Sequence, residues 1–212
     1  MIYIVIISLI LAYLINKYLY KLCKDRDIKY YKNFFTYIIV MSTYLLIYCK
    51  YGLTVESIRY FSLIPFITII SIIDYYTTYI YDITIVSGII IQGVIFLIYL
   101  NADFDNMSHI YGLLTGIMLS YMLAKLTKAL GDGDIYLYGL CGIALGHGYG
   151  IYLICLSYLI AFVYCLLLFL MKKQRIKGKI SFAPFISLSA ITIMLTEYDI
   201  LKIYFDILYL KL

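Results

Sequence analysis

Residues 109–146 read HIYGLLTGIMLSYMLAKLTKALGDGDIYLYGLCGIALG, two apolar runs joined at a Gly-Asp-Gly-Asp step at positions 131–134. A helix needs about 20 mostly apolar residues to cross the hydrocarbon core of a bilayer, and the first run has that length. Carboxylates are costly beside such runs, by about 2.5–3.5 kcal/mol each at the centre of a membrane helix and less near its ends. The stretch predicts two membrane helices with a paired-acid turn between them.

The rest of the chain agrees. Its 212 residues are 65% hydrophobic and 14% charged, with a mean hydropathy of +0.96. Soluble domains carry about 25% charged residues. The fold class is therefore all-α, a polytopic membrane helix bundle forming one integral membrane domain over residues 1–212. Eight spans are expected, at 2–16, 33–49, 58–73, 83–100, 109–128, 135–149, 150–171 and 182–197. The first lacks the basic lead-in and small-residue cleavage site of a removable signal, so it reads as an anchor. In the last stretch, YDILKIYFDILYLKL (198–212), Asp199, Lys202 and Asp206 form one polar stripe, which suits a helix lying in the interface.

Charge orients the bundle. Lys17, Lys21, Lys24, Arg26, Lys29, Lys32, Lys125, Lys128, Lys172, Lys173, Arg175, Lys177 and Lys179 all fall on one side if eight spans alternate. The other side has Lys50 and Arg59 in its loops, and NADFDNMS (101–108) contributes no basic residue. The positive-inside rule makes the first side cytoplasmic and the N-terminus external. The net charge of +5 is thus a matter of topology, and no nucleic-acid partner is expected. Cys23, Cys49, Cys141, Cys155 and Cys165 form no Cys-x-x-Cys pair. They read as small buried hydrophobes, and no metal site or cofactor is expected. His109 and His147 fall near external span ends, away from the acids.

With that sidedness, two acidic turns share the cytoplasmic face. SIIDYYTTYIYDIT (71–84) carries Asp74 and Asp82, and GDGD carries Asp132 and Asp134. A plain reading exists for each: loop acids in the first, and in the second a glycine turn with one Asp capping the next helix. It leaves unexplained why two acidic turns face one another. Two carboxylates held close cannot both ionise, so they share a proton. The ionised one then draws a proton from water while the other polarises a carbonyl, which is peptide hydrolysis by general acid–base catalysis. Glycine beside an acid permits close approach of another backbone. Were 74–82 helical, Asp74 and Asp82 would stand about 12 Å apart along the axis, and only one could pair with Asp134.

The pattern DYYTTYIYD (74–82) followed by GDGDIYLYG (131–139) resembles the type IV prepilin peptidases, membrane aspartic proteases with a G-x-G-D motif. The resemblance implies Asp74 and Asp134 as the catalytic acids and Gly131 and Gly133 as motif glycines, with Asp132 at the variable position. Two more stretches extend it over roughly residues 60–190, a peptidase-like core. HIYGLLTG (109–116) is similar to the glycine-spaced span before G-x-G-D, and its Gly112 and Gly116 also suit close helix packing. ISFAPFISLSA (180–190) is similar to a late Pro-Phe stretch, with Phe182, Pro184 and Phe185 in place. Asp82 is assigned to a helix cap or a substrate contact. Tyr81 stands where the family usually has proline, and Ala183 where it often has glycine. The first basic loop holds Cys23 without a second cysteine, so the methyl transfer of the longer members is not carried over.

The resemblance implies an aspartic endopeptidase of the plasma membrane. Its partner is a pilin-like or pseudopilin-like precursor, whose leader it removes at the cytoplasmic face, in type IV pilus assembly or protein secretion. A transporter with acids as ion sites is the alternative. It favours acids nearer mid-membrane and repeated halves with broken helices, and no internal repeat is seen.

Overall fold

The computed structural model describes residues 1–24, 34–99, 106–128, 130–171 and 180–197. Among them are eight α-helices and no strand: α1 (Ile2–Lys24), α2 (Phe34–Tyr51), α3 (Val55–Thr77), α4 (Asp82–Ile98), α5 (Asn106–Thr127), α6 (Asp132–Leu145), α7 (Gly150–Leu170) and α8 (Ala183–Thr196). A one-turn 3-10 segment, His147–Tyr149, joins α6 to α7. The protein is an all-helical, multi-pass membrane protein.

Each expected span has its helix, but only α1, α2, α3, α5 and α7 are long and apolar enough to cross a membrane unaided. Helices α4, α6 and α8 have 17, 14 and 14 residues. The boundaries also move. Helix α1 continues eight residues past its expected end and takes in Lys17, Lys21 and Lys24. Helix α3 runs on to Thr77, so Asp74 lies in its last turn. Helix α6 begins three residues early, which puts Asp132 and Asp134 in its first turn. Arg59, assigned above to a loop, is a fully buried residue of α3. The basic stretches 26–32 and 172–179, residues 101–105 of the NADFDNMS loop and the striped segment 198–212 lie outside the described residues.

Helix α6 is the centre of the bundle. From Asp134 to Leu145 every residue except Tyr136 is buried, and α3, α4, α5, α7 and α8 all pack against it. Its glycines make this possible. A Cβ on Gly142 would collide with the Gly112 carbonyl oxygen, and one on Gly116 would sit 2.6 Å from the Tyr138 carbonyl oxygen. The glycine spacing at 112 and 116 thus lets α5 and α6 touch backbone to backbone, as small residues do between membrane helices.

Helix α3 is delimited by its own sequence. Thr54 and Ser57 form a reciprocal cap at its start, with N···O distances of 3.2 and 3.0 Å. At its end Thr78 takes the left-handed conformation (φ 52°) and returns its N–H to the Asp74 carbonyl at 2.7 Å, so the chain leaves the helix one turn after the acid. The condition that residues 74–82 be helical therefore does not hold. Helix α8 is fastened alongside α3 by a Ser71–Ser187 hydroxyl bond of 2.6 Å. Ser187→Ala removes this bond and the one its hydroxyl donates to the Ile67 carbonyl at 3.3 Å, and should lower stability by about 1–2 kcal/mol, at about 1 kcal/mol for each bond. Thermal unfolding in detergent checks this, and an unchanged midpoint would show both bonds to be idle.

Candidate active site

The ends of four helices converge where the chain leaves α3. The Asp74 carboxylate reaches the start of α8, where its Oδ2 accepts the Ala183 N–H at 3.0 Å and the Phe182 backbone also contributes. No side chain of α8 caps that terminus, so an acid from another helix does so. A helix N-terminus carries a partial positive charge and favours an anion there. Pro184, in the first turn of α8, brings no N–H that would need a partner. The FAPF stretch thereby gains a physical reason: it starts a helix against Asp74. Phe182 and Phe185 form the adjoining aromatic wall, their ring centroids 5.9 Å apart.

Asp134 is the third residue of α6, and its Oδ2 accepts the Gly131 N–H at 3.2 Å. The capping role foreseen for one acid of GDGD therefore falls to Asp134, while Asp132 is exposed. Gly131 has φ −78°, a conformation open to any residue, so the turn does not require glycine there. Gly133 is needed for space, since its Cβ would lie 2.8 Å from the Ile80 Cβ. The close neighbour is the protein's own turn after α3, and not an incoming backbone as the sequence suggested. By seating Ile80 on α6, Gly133 brings the Asp74 turn onto the Asp134 turn.

The two acids are 5% and 9% exposed and close enough for their charges to interact. They stand where two cavities meet. One, of about 460 Å³, is lined by both acids together with Ile80, Asp82, Asp132 and Gly133. The other, of about 380 Å³, is lined by both acids with Lys128, Ile180 and Phe182. Asp82 opens α4, where its charge suits the helix dipole, and it also faces the first cavity. Tyr81, in proline's usual place, has φ −85°, close to the value a proline ring imposes.

The pairing of Asp74 with a helix start was not foreseen, although Pro184 marked that start. The Gly133–Ile80 contact was also missed, because tertiary packing alone brings Ile80 to the site. His109 lies elsewhere. It donates from Nδ1 to the Ile143 carbonyl at 2.9 Å and lines a cavity with Arg59. Fifteen residues of α3 separate Arg59 from Asp74, about 22 Å at 1.5 Å per residue. Among the described residues no three His, Cys, Asp or Glu side chains gather as metal ligands.

Residues 61–166 match the sequence model of a family described as the type IV leader peptidase family. The match contains both buried acids and the GDGD turn and ends before the FAPF stretch. No curated protein and no solved structure matches the chain.

Proposed function

We propose, because the chain belongs to the type IV leader peptidase family, that it is an aspartic endopeptidase whose catalytic pair is Asp74 and Asp134. The observation that carries this reading is the burial of two carboxylates, from helices far apart in sequence, at the junction of two cavities. A water held between them loses a proton to the ionised acid while the other protonates the peptide carbonyl. The water oxygen bonds to the carbonyl carbon, and the tetrahedral adduct breaks its C–N bond as the amine takes up the proton that the first acid drew from water, so no covalent enzyme intermediate forms. A cavity on either side of the acids leaves room for chain before and after the scissile bond.

The substrate is a precursor with a short basic leader followed by an apolar helix that sits in the same membrane. Cleavage takes place at the cytoplasmic face of the plasma membrane, with the N-terminus of the enzyme external. Support for this orientation comes from the bias of Lys and Arg toward the loops on one side. The product then enters a pilus or a secretion assembly.

Co-expression of the chain with such a precursor tests the reading. The precursor should shorten by its leader, and chelators and serine or cysteine reagents should leave the reaction unaffected. Asp132→Asn should still cut, its carboxylate being exposed. A precursor that stays full length, or shortens equally without the chain, would overturn the proposal.

A further inference from the structure

The two cavities beside the pair differ in chemistry. The larger, of about 460 Å³, is lined by four carboxylates, Asp74, Asp82, Asp132 and Asp134, and by no basic side chain among the described residues. Its volume falls within the range of about 300–1,000 Å³ usual for ligand pockets. The smaller shares Asp74 and Asp134 but adds Lys128 and the apolar Leu130, Ile180 and Phe182. The pair therefore stands on the border between an acidic chamber and a largely apolar one.

Asp82 and Asp132 are the acids that the hydrolytic step leaves unused. Both are exposed, and neither has an ion-pair partner among the described residues. Each lies in the first turn of a helix, Asp82 in α4 and Asp132 in α6. A helix start offers only about half a positive charge, so each carboxylate remains a net anion toward the chamber. Asp134 marks the same chamber as a place for a ligand. It is 9% exposed and lines this cavity, yet its Oδ1 has no hydrogen-bond partner among the described residues. A buried acceptor left unmade is costly, and a donor entering through the cavity satisfies it.

We infer that the acidic chamber is the subsite for the cationic side of the cleaved peptide, Asp82 and Asp132 holding its Lys or Arg side chains, and that the apolar chamber takes the residues beyond the scissile bond. Lys and Arg bring a full charge and several N–H donors to carboxylates. Lys128 repels such a side chain from the other chamber, where Leu130, Ile180 and Phe182 offer apolar surface instead. Attraction on one side and repulsion on the other both serve discrimination, so the peptide crosses the pair in one direction. The inference rests on the reading of Asp74 and Asp134 as the hydrolytic pair.

Neutralising both acids, Asp82→Asn with Asp132→Asn, should raise KM for a basic-leader precursor about tenfold and spare kcat, at about threefold for each exposed ion pair lost. Either substitution alone should still permit cutting, with KM raised about threefold. A precursor whose leader Lys and Arg are replaced by Gln should show the raised KM with the unaltered chain and be indifferent to the double substitution. An unchanged KM, or an equal loss for basic and neutral leaders, overturns the inference. A binding measurement needs no cleavage. A fluorescent peptide of the basic leader alone, without the scissile bond, should bind the unaltered full chain in detergent about tenfold more tightly than the double variant. Equal binding to the two also overturns the inference. Should the unaltered chain cleave no precursor, the functional reading fails, while the peptide comparison still decides whether the chamber holds cations.

Discussion

Asp74→Asn and Asp134→Asn should each abolish leader cleavage of a co-expressed precursor while the protein accumulates to its usual level. The amide has nearly the shape of the carboxyl, so packing survives. What is lost is the proton that the pair passes between water and the carbonyl. One general acid or base is worth about 10²–10⁴-fold in rate, and when the two acids act as one unit the loss of either approaches the loss of both. The two variants should differ in stability. At position 74 the side chain accepts the Ala183 N–H at the start of α8, and a neutral amide oxygen does this less well than a carboxylate. At position 134 the carboxyl accepts one longer bond, from the Gly131 N–H at 3.2 Å, and its Oδ1 has no partner among the described residues to lose. Asp74→Asn should therefore lower the unfolding midpoint more than Asp134→Asn. Precursor processing at the normal rate in either variant would remove that acid from the mechanism.

Gly142→Leu should prevent assembly of the bundle. A Cβ at this position would already overlap the Gly112 carbonyl oxygen, and neither backbone can yield without separating α5 from α6. Inserting extra methylenes into a tight core costs about 1–3 kcal/mol, occasionally more, and here the obstacle is main chain, which cannot change rotamer. Because α6 is the helix against which five others pack, the damage spreads through the bundle. The expected outcome is little or no monodisperse protein on size-exclusion in detergent. Gly93→Leu is the control, since a Cβ there meets nothing within 4 Å, and it should purify normally. Equal yields for the two variants would mean that the glycine contact is not what holds α5 against α6.

Much of this was legible in the residues. Helix number and order follow from apolar run length, because the bilayer demands about 20 apolar residues of any segment that must cross it alone. Helices α4, α6 and α8 escape that demand by packing against their neighbours, which is why hydropathy gives their positions but overstates their lengths. Asp74 and Asp134 could be singled out because acids beside apolar runs need a reason. Their surroundings could not be read the same way. The Ala183 N–H that Asp74 accepts is invisible in a one-letter code, and Ile80 shows its contact with Gly133 only once the fold is formed. The glycines of GDGD were expected to admit an approaching backbone, and Gly133 does supply space, but for the Ile80 side chain of the protein's own turn.

The shortness of α6 has a consequence for how a peptide gets in. Fourteen residues make a rod of about 21 Å, against about 30 Å of hydrocarbon. Were Leu145 at one boundary, the start of α6 at Asp132 would stop roughly 9 Å short of the other. Solvent would then descend to the carboxyls through a well. A visiting chain would have to uncoil over about three residues to hang to the bottom of it, each unwound residue covering roughly 3.3 Å. Selection would thus favour precursors that fray readily ahead of their apolar helix, whatever letters they carry there.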